Sequence, residues 1–300
     1  MQKLNYVKTH FWLYLIIAPA LISVIVFKYV PMYGILIAFK DYSFRKGVWG
    51  SDWVGFHHFE RFMSGPNFDL LLQNTLKLNL YGLLLGFPVP ILLALMLNQM
   101  RKASSKKRIQ LFLYAPNFIS VVVMVGMVFV LLSPTGPVNK IIEVITGQPI
   151  QFMSDPSYFR SIFILSGIWQ TAGWASIIYM AALAGVDPEL HNAATIDGAS
   201  LMQRIRNIDI PTIKPVIALM LVLAAGGIMA GAGDKALLMQ NPMNMETSDV
   251  ISTYVYRIGF QQANYSFSAA VELFNTVINI TILLLVNFFV KKANDGEGLI

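Results

Sequence analysis

The chain has 300 residues, 56% of them hydrophobic and only 13% charged, and its mean hydropathy is +0.59. Soluble domains carry about a quarter charged residues, so this deficit of charge excludes an ordinary water-soluble fold. No cysteine is present, which rules out disulfides, thiolate metal sites and cysteine nucleophiles, and the net charge of +6 reads as membrane orientation charge, not a nucleic-acid surface.

A helix crosses the hydrocarbon core with about 20 mostly apolar residues, whereas barrel strands alternate over about ten. The apolar runs here are long and continuous, so the expected fold class is all-α, a polytopic membrane protein with six spans. The first span covers Phe11 to Tyr33, with a bend after Pro31; it exceeds the 7–15 residues of a signal-peptide core, roughly stated, and is read as uncleaved. Lys40 to Phe62 follows, rich in aromatics at Trp49, Trp53, Phe56 and Phe59. It is expected to form an interfacial helix at the headgroups, the alternative being a contact for an external binding protein. His57 and His58 have no evident further ligands, so no metal site is expected.

The second span covers Leu71 to Leu97, with Pro88 and Pro90 as kinks, and the third Ile109 to Leu132, kinked at Pro116. Between them stands "RKASSKKR", Arg101 to Arg108. The fourth span covers Ser161 to Leu183, the fifth Lys214 to Ala232 and the sixth Ser268 to Val290. Gly226, Gly227, Gly231 and Gly233 make the end of the fifth either pliable or closely packed. Neither an internal repeat nor a low-complexity tract is seen.

Charge sets the orientation. Lys3, Lys8, the five basic residues of "RKASSKKR", Arg204, Arg206, Lys214, Lys291 and Lys292 make 12 of the 22 basic residues, on segments with six acids. The opposite segments, with Lys28 and Lys77, carry ten of each sign over a longer length of chain. Short loops rich in Lys and Arg stay in the cytoplasm, so both termini, "RKASSKKR" and the stretch Val186 to Pro215 are placed there, in a multi-pass protein of the cell membrane.

That stretch, "VDPELHNAATIDGASLMQRIRNIDIPTIKP", is polar between two spans. Asp187-Pro188-Glu189 is a helix start: Asp caps, Pro fits the first position, and Glu suits the positive end of the dipole. Asp197-Gly198 breaks the helix, Gly reaching positive φ without a steric penalty. Ser200 and Gln203 fit a capping box opening a second helix, "LMQRIRNI". Pro211 and Pro215 are expected to stop it before the fifth span. A DNA-reading helix pair is implausible between membrane spans; a surface loop without partner is the plainer alternative. The small residues Ala193, Ala194 and Ala199 favour a face on which another protein closes.

"NAATIDGASLMQRIRNIDIP" resembles the EAA loop of binding-protein-dependent ABC importer permeases. Ala193, Ala194, Asp197, Gly198, Ala199, Ile208 and Pro211 match the pattern; Asn192 stands where the family usually has Glu, and Ile210 where it usually has Leu. "KYVPMYGILIAFKDY", "NFISVVVMVGM", "LLSPTGPVN" and "IIYMAALAGVDPEL" resemble the maltose-type, oligosaccharide and polysaccharide permease branch of Gram-positive bacteria. The resemblance implies the type I importer permease (MetI-like) fold, with an N-terminal part over 1–70, a five-helix core over 71–290 that contains the loop 186–215, and a cytoplasmic tail over 291–300. It also implies a second homologous permease subunit (a heterodimer), two cytoplasmic ATPase subunits, an extracellular substrate-binding lipoprotein and a carbohydrate substrate. Glu189, Asn192, Ala193, Ala194, Asp197, Gly198, Ala199, Ile208 and Pro211 would then couple to the ATPase. No G-x-x-x-x-G-K-[ST] loop is present, so ATP and Mg are expected on the partner and no cofactor on this chain, which is not expected to be an enzyme.

Polar residues inside spans are candidates for the substrate path. Glu272, Asn275, Thr276 and Asn279 share one face of the sixth span, as Ser166, Gln170 and Trp174 do in the fourth. Gln170, Trp174, Glu272, Asn275 and Asn279 offer amides, a carboxylate and an aromatic plane to a sugar. The plainer alternative is hydrogen bonding between helices. An ion-coupled secondary transporter would show repeats and buried ionisable residues, and an importer permease for peptides or amino acids remains open. A membrane hydrolase lacks its nucleophile–base pair.

Overall fold

The computed structural model describes residues 10–100, 102–229 and 233–293. Lys3, Lys8, Arg101, Gly231 and the tail beyond 293 lie outside the described residues. The chain divides into two compact units, Met1–Gly65 with Val255–Leu273, and Pro66–Tyr254 with Phe274–Ile300. The expected division at 70 cuts the chain into contiguous pieces, whereas these units are interleaved in sequence.

Among the described residues, six helical segments are long and apolar enough to cross a membrane: Phe11–Phe39, Phe68–Asn98, Val121–Thr146, Pro156–Leu183, Leu201–Ala225 and Tyr265–Lys292. The fold is therefore all-α apart from one short hairpin, as expected.

In the first unit, α1 (Phe11–Val24) passes through a π turn (Ile25–Tyr29) into a 3₁₀ stretch (Val30–Phe39). The aromatic segment that follows is not a continuous interfacial helix. It is a hairpin of β1 (Lys40–Asp41) and β2 (Asp52–Trp53), enclosing α2 (Gly47–Gly50) and followed by α3 (His57–Met63). Gly47 and Gly55, with φ of +65° and +61°, turn the chain where an uninterrupted helix would have to run straight. Phe39 gathers the aromatics, stacking on Trp53 at 5.7 Å and meeting Phe56 and Phe59 at 5.5 and 5.3 Å. His58 Nε2 is turned to the Lys40 carbonyl at 3.2 Å.

The second unit is built around α9 (Pro156–Leu183), which packs on α4 (Phe68–Gly86), α5 (Pro88–Asn98), α6 (Ala103–Tyr114) and α7 (Val121–Leu132). Lipid is as apolar as a leucine side chain, so close packing replaces the hydrophobic effect here. Gly173 shows it: a Cβ there would run into the Leu113 carbonyl. Only glycine lets α6 approach α9 so closely.

The third span departs from expectation. No helix runs unbroken from Ile109 to Leu132. A 3₁₀ turn (Ala115–Phe118) ends α6, Ile119 is extended, and Ser120 caps α7 through its side chain. Pro116 does more than kink, because the chain around it leaves the helix altogether. Beyond α7 lies α8 (Pro137–Thr146), where the buried Asn139 binds the Leu132, Ser133 and Ile150 carbonyls and accepts the Ile150 N–H at 2.8 Å.

The fifth span is corrected at both ends. After α10 (Pro188–Ile196) comes α11 (Leu201–Arg204), which does not stop at Pro211. It continues through a π turn (Ile205–Asp209) into α12 (Ile210–Ala225). The Ile210 N–H reaches back to the Ile205 carbonyl. This wider turn makes room for the ring of Pro211, which would otherwise press on a carbonyl four residues back. At the other end helix gives way to turns after Ala225. A Cβ on Gly226 would stand 2.6 Å from Leu283 Cδ1, so this glycine is a packing contact. α13 (Gly233–Met239), α14 (Met245–Ser248) and α15 (Ile251–Tyr256) lead to the long α16 (Tyr265–Ala293).

Candidate functional site: a rigid helical loop and a polar cavity

The stretch 186–215 is fixed bond by bond. Asp187 Oδ1 accepts the Glu189 N–H at 2.9 Å and Pro188 occupies the first turn, an N-cap worth about 1 kcal/mol. At its other end α10 closes in a Schellman motif: Ala199 N–H donates to the Ala194 carbonyl at 2.8 Å and Gly198 N–H to that of Thr195 at 3.1 Å. Gly198 has φ +76°. The capping box of α11 is formed, Ser200 N–H donating to Gln203 Oε1 at 2.7 Å and Gln203 N–H to Ser200 Oγ at 3.4 Å. Arg204 Nη1 then reaches across to Thr195 Oγ1 at 2.9 Å, bracing α11 against α10.

A second brace ties the loop to the spans. Asp209, in the π turn, has no exposed side-chain surface. Its Oδ2 accepts from Gln99 Nε2 at 3.0 Å, and its Oδ1 lies 3.1 Å from His191 Nε2 on α10. Gln99 directly follows α5, so one carboxylate joins α10 to the ends of two spans. Gln99, His191 and Asp209 carry no local motif that would mark them in the sequence. The one hint is a carboxylate between Ile208 and Ile210.

The outer side of α10 is bare. No residue of α10 is buried, and Leu190 and Ile196 are 53% and 87% exposed. Glu189, Asn192, Ala193 and Ile196 fall on one face at helical spacing. Glu189, Asn192, Ala193, Asp197 and Gly198 are exposed; Ala194, Ala199 and Ile208 are half-buried; Pro211 is exposed in the first turn of α12.

Further along the second unit, α4, α5, α9, α12 and α13 line an open cavity of about 730 Å³. Small-molecule sites measure about 300–1,000 Å³. Its polar wall includes Asn79, Gln170, Thr171, Asp234, Lys235 and Ser252. Of the five expected path residues, only Gln170 lies on it. Its Nε2 donates to the Ile119 carbonyl at 2.8 Å, satisfying the backbone where the chain breaks between α6 and α7.

The others lie off the wall. Trp174 is 46% exposed and packs edge-on against Phe118 and Tyr114. Asn275 donates to the Met229 carbonyl at 3.3 Å, and Asn279 donates to that of Gly226 while accepting the Met229 N–H at 3.1 Å. Both asparagines thus serve the backbone just past α12, where helical partners have run out. Glu272 is exposed on the same helix.

Lys235 was not singled out from the sequence, where it is one cation in a mixed loop. Its ammonium donates to the Phe163 carbonyl at 2.5 Å and sits over the Phe163 ring, 4.4 Å from the centroid. Burial pulls its pKa down from 10.5 to about 8.

Residues 86–295 match the family described as binding-protein-dependent transport system inner membrane component. The chain is 44% identical over 289 residues to Protein LplB of Bacillus subtilis (strain 168), covering 96% of this chain and 91% of that protein. It is 43% identical over 289 residues to the polygalacturonan/rhamnogalacturonan transport system permease protein YteP of the same organism, covering 96% and 90%. Among solved structures, a bacterial ABC transporter involved in import of the acidic polysaccharide alginate superposes with a TM-score of 0.91 at 37% identity, covering 98% of this chain and 100% of that one. The alginate transporter in complex with an alginate pentasaccharide-bound periplasmic protein superposes at 0.90 with 38% identity, covering 98% and 99%. A multi-pass helical membrane chain matched over most of its length in this way belongs to the binding-protein-dependent transport system inner membrane component family, the permease subunits of ABC importers.

Proposed function

We propose that this chain is the membrane-spanning permease subunit of an ATP-driven importer for carbohydrate oligomers. An extracellular binding lipoprotein hands the oligomer to it, and a second, homologous permease chain completes the path. Two cytoplasmic ATPase subunits supply the energy, with ATP and Mg held there. Both termini lie in the cytoplasm, and the chain itself catalyses no reaction.

The observation that carries this reading is the braced loop. A helix with one face bare, locked at both ends and tied by a buried carboxylate to two spans, transmits force instead of absorbing it. The bare face, with Glu189, Asn192, Ala193 and Ile196, is where the ATPase docks. Asn192 replaces the usual family glutamate, so docking here relies on shape and hydrogen bonding more than on an ion pair. Alginate and polygalacturonan transport by the relatives supports an oligosaccharide as substrate.

The test is reconstitution of the complete complex in liposomes. Binding-protein-dependent, ATP-driven uptake of an oligosaccharide is expected. Uptake that persists without ATP but follows an ion gradient would overturn the proposal in favour of a secondary carrier.

A further inference from the structure

Lys235 is expensive where it stands. An ammonium withdrawn from water needs a counter-charge or a full set of acceptors. The Phe163 carbonyl takes one of its three protons and the ring face adds a weaker attraction. Among the described residues it makes no ion pair. Asp234, its neighbour on the cavity wall, is exposed to solvent and lies in no salt bridge with it. A positive charge kept half-desolvated on a cavity wall implies an anionic visitor.

The rest of the wall suits a sugar. The Thr171 hydroxyl donates to the Gly167 carbonyl and the Asn79 amide to that of Thr75, leaving each with oxygen lone pairs that accept from a sugar hydroxyl. Ser252 Oγ is buried, lies on the same wall and makes no hydrogen bond among the described residues. Acceptors thus line the cavity, and among the described residues Lys235 is its one cation.

We infer that Lys235 is the carboxylate-recognition point of this cavity, and that the oligosaccharides it admits carry carboxylates, as uronate oligomers do. One sugar carboxylate pairs with the Lys235 ammonium while hydroxyls reach Asn79 and Thr171. This rests on the proposal that the chain carries carbohydrate.

The test compares ATP-driven uptake of an oligogalacturonide with that of its carboxyl-reduced, neutral counterpart. Proteoliposomes hold the whole complex, and each sugar is supplied at a concentration that saturates the binding protein. Wild type, Lys235→Gln and Lys235→Arg are measured, and the binding protein's own preference, common to all three, cancels. Lys235→Gln is expected to lower the acid-to-neutral uptake ratio by about tenfold, the scale of one charge-assisted hydrogen bond, with neutral uptake falling much less than acidic uptake. Lys235→Arg is expected to retain most of the preference. An unchanged ratio in Lys235→Gln, with neutral uptake intact, overturns this inference and leaves the carbohydrate proposal standing. Loss of both sugars alike in Lys235→Gln also overturns it, marking the lysine as structural. If wild type imports neither sugar, the carbohydrate proposal fails, and the inference with it.

Discussion

Replacing Gly198 separates the stiffness of the loop from every other contribution. Its φ is +76°, and no heavy atom lies within 4 Å of the place where a Cβ would stand. A methyl group there meets no neighbour, so for alanine the penalty is backbone strain, about 1–2 kcal/mol for an L-residue held in the left-handed region. Valine, whose β-branch crowds its own backbone, suffers more than alanine, while asparagine, which visits that region more readily, suffers less. About 1.4 kcal/mol is a tenfold change in an equilibrium, enough to raise the share of unwound forms about tenfold. Relief comes by unwinding the end of α10, which gives up the Ala199–Ala194 and Gly198–Thr195 bonds and slackens the Arg204–Thr195 brace. The assay is uptake per ATP hydrolysed in proteoliposomes. Gly198→Ala and Gly198→Val are expected to assemble normally and hydrolyse ATP, yet lose several-fold in coupling; Gly198→Asn is expected to stay near wild type. Wild-type coupling in both the alanine and the valine variant would refute the idea that this turn must be rigid.

Asp209→Ala leaves Gln99 without its acceptor and His191 without the carboxylate that faces it, which is expected to cost about 1–3 kcal/mol and to lower both the Tm of the purified complex and its coupling ratio. His191→Ala is expected to cost less, since Asp209 keeps Gln99. Gly173→Ala drives a methyl into the Leu113 carbonyl and is expected to abolish most monodisperse protein in size-exclusion chromatography, whereas Gly82→Ala, with open space around it, is expected to be silent. Raising the pH through about 8 discharges Lys235, so the preference for an acidic oligosaccharide is expected to fall between pH 7 and 9, roughly bracketing that value. Among the described residues Asp234 and Tyr179 are the wall's other ionisable side chains, so the same profile in Lys235→Gln is the control. For stability the sign is opposite: between about 8 and 10.5 the unfolded chain holds the proton more firmly, so burial of this lysine becomes less unfavourable as pH rises.

Where the signal is local, the sequence was readable. Length and continuous hydropathy located six apolar segments, and the caps at Asp187 and Ser200 and the turn at Gly198 are chemistry written within four residues. Proline was the poorer guide. Pro211 reads as a stop, yet a π turn absorbs it and carries the helix into the fifth span; Pro116 reads as a kink, yet the chain leaves the helix at Ile119. The cost of a missing N–H depends on whether the neighbouring turn can widen, which one residue does not disclose. The aromatic segment misled for a related reason, because its glycines outweigh its aromatic content. Contacts distant in the chain were invisible: Gln99 with Asp209, Lys235 with Phe163, and the asparagines of α16 with the end of α12. A polar stripe on a helix says that something polar is met, not whether it is substrate or backbone.

The central claim, that α10 faces the cytoplasm and bears on the ATPase, is open to one direct measurement. The chain has no cysteine, so Ala193→Cys introduces a single thiol on the exposed side of α10. Intact cells are treated with a membrane-impermeant maleimide, and inverted vesicles bearing the assembled complex with a thiol cross-linker. The account predicts no labelling from outside, and in the vesicles a cross-link to the ATPase subunit whose yield changes with ATP. Labelling of Cys at 193 from outside the cell, or an accessible thiol that never joins the ATPase in the assembled complex, would contradict it.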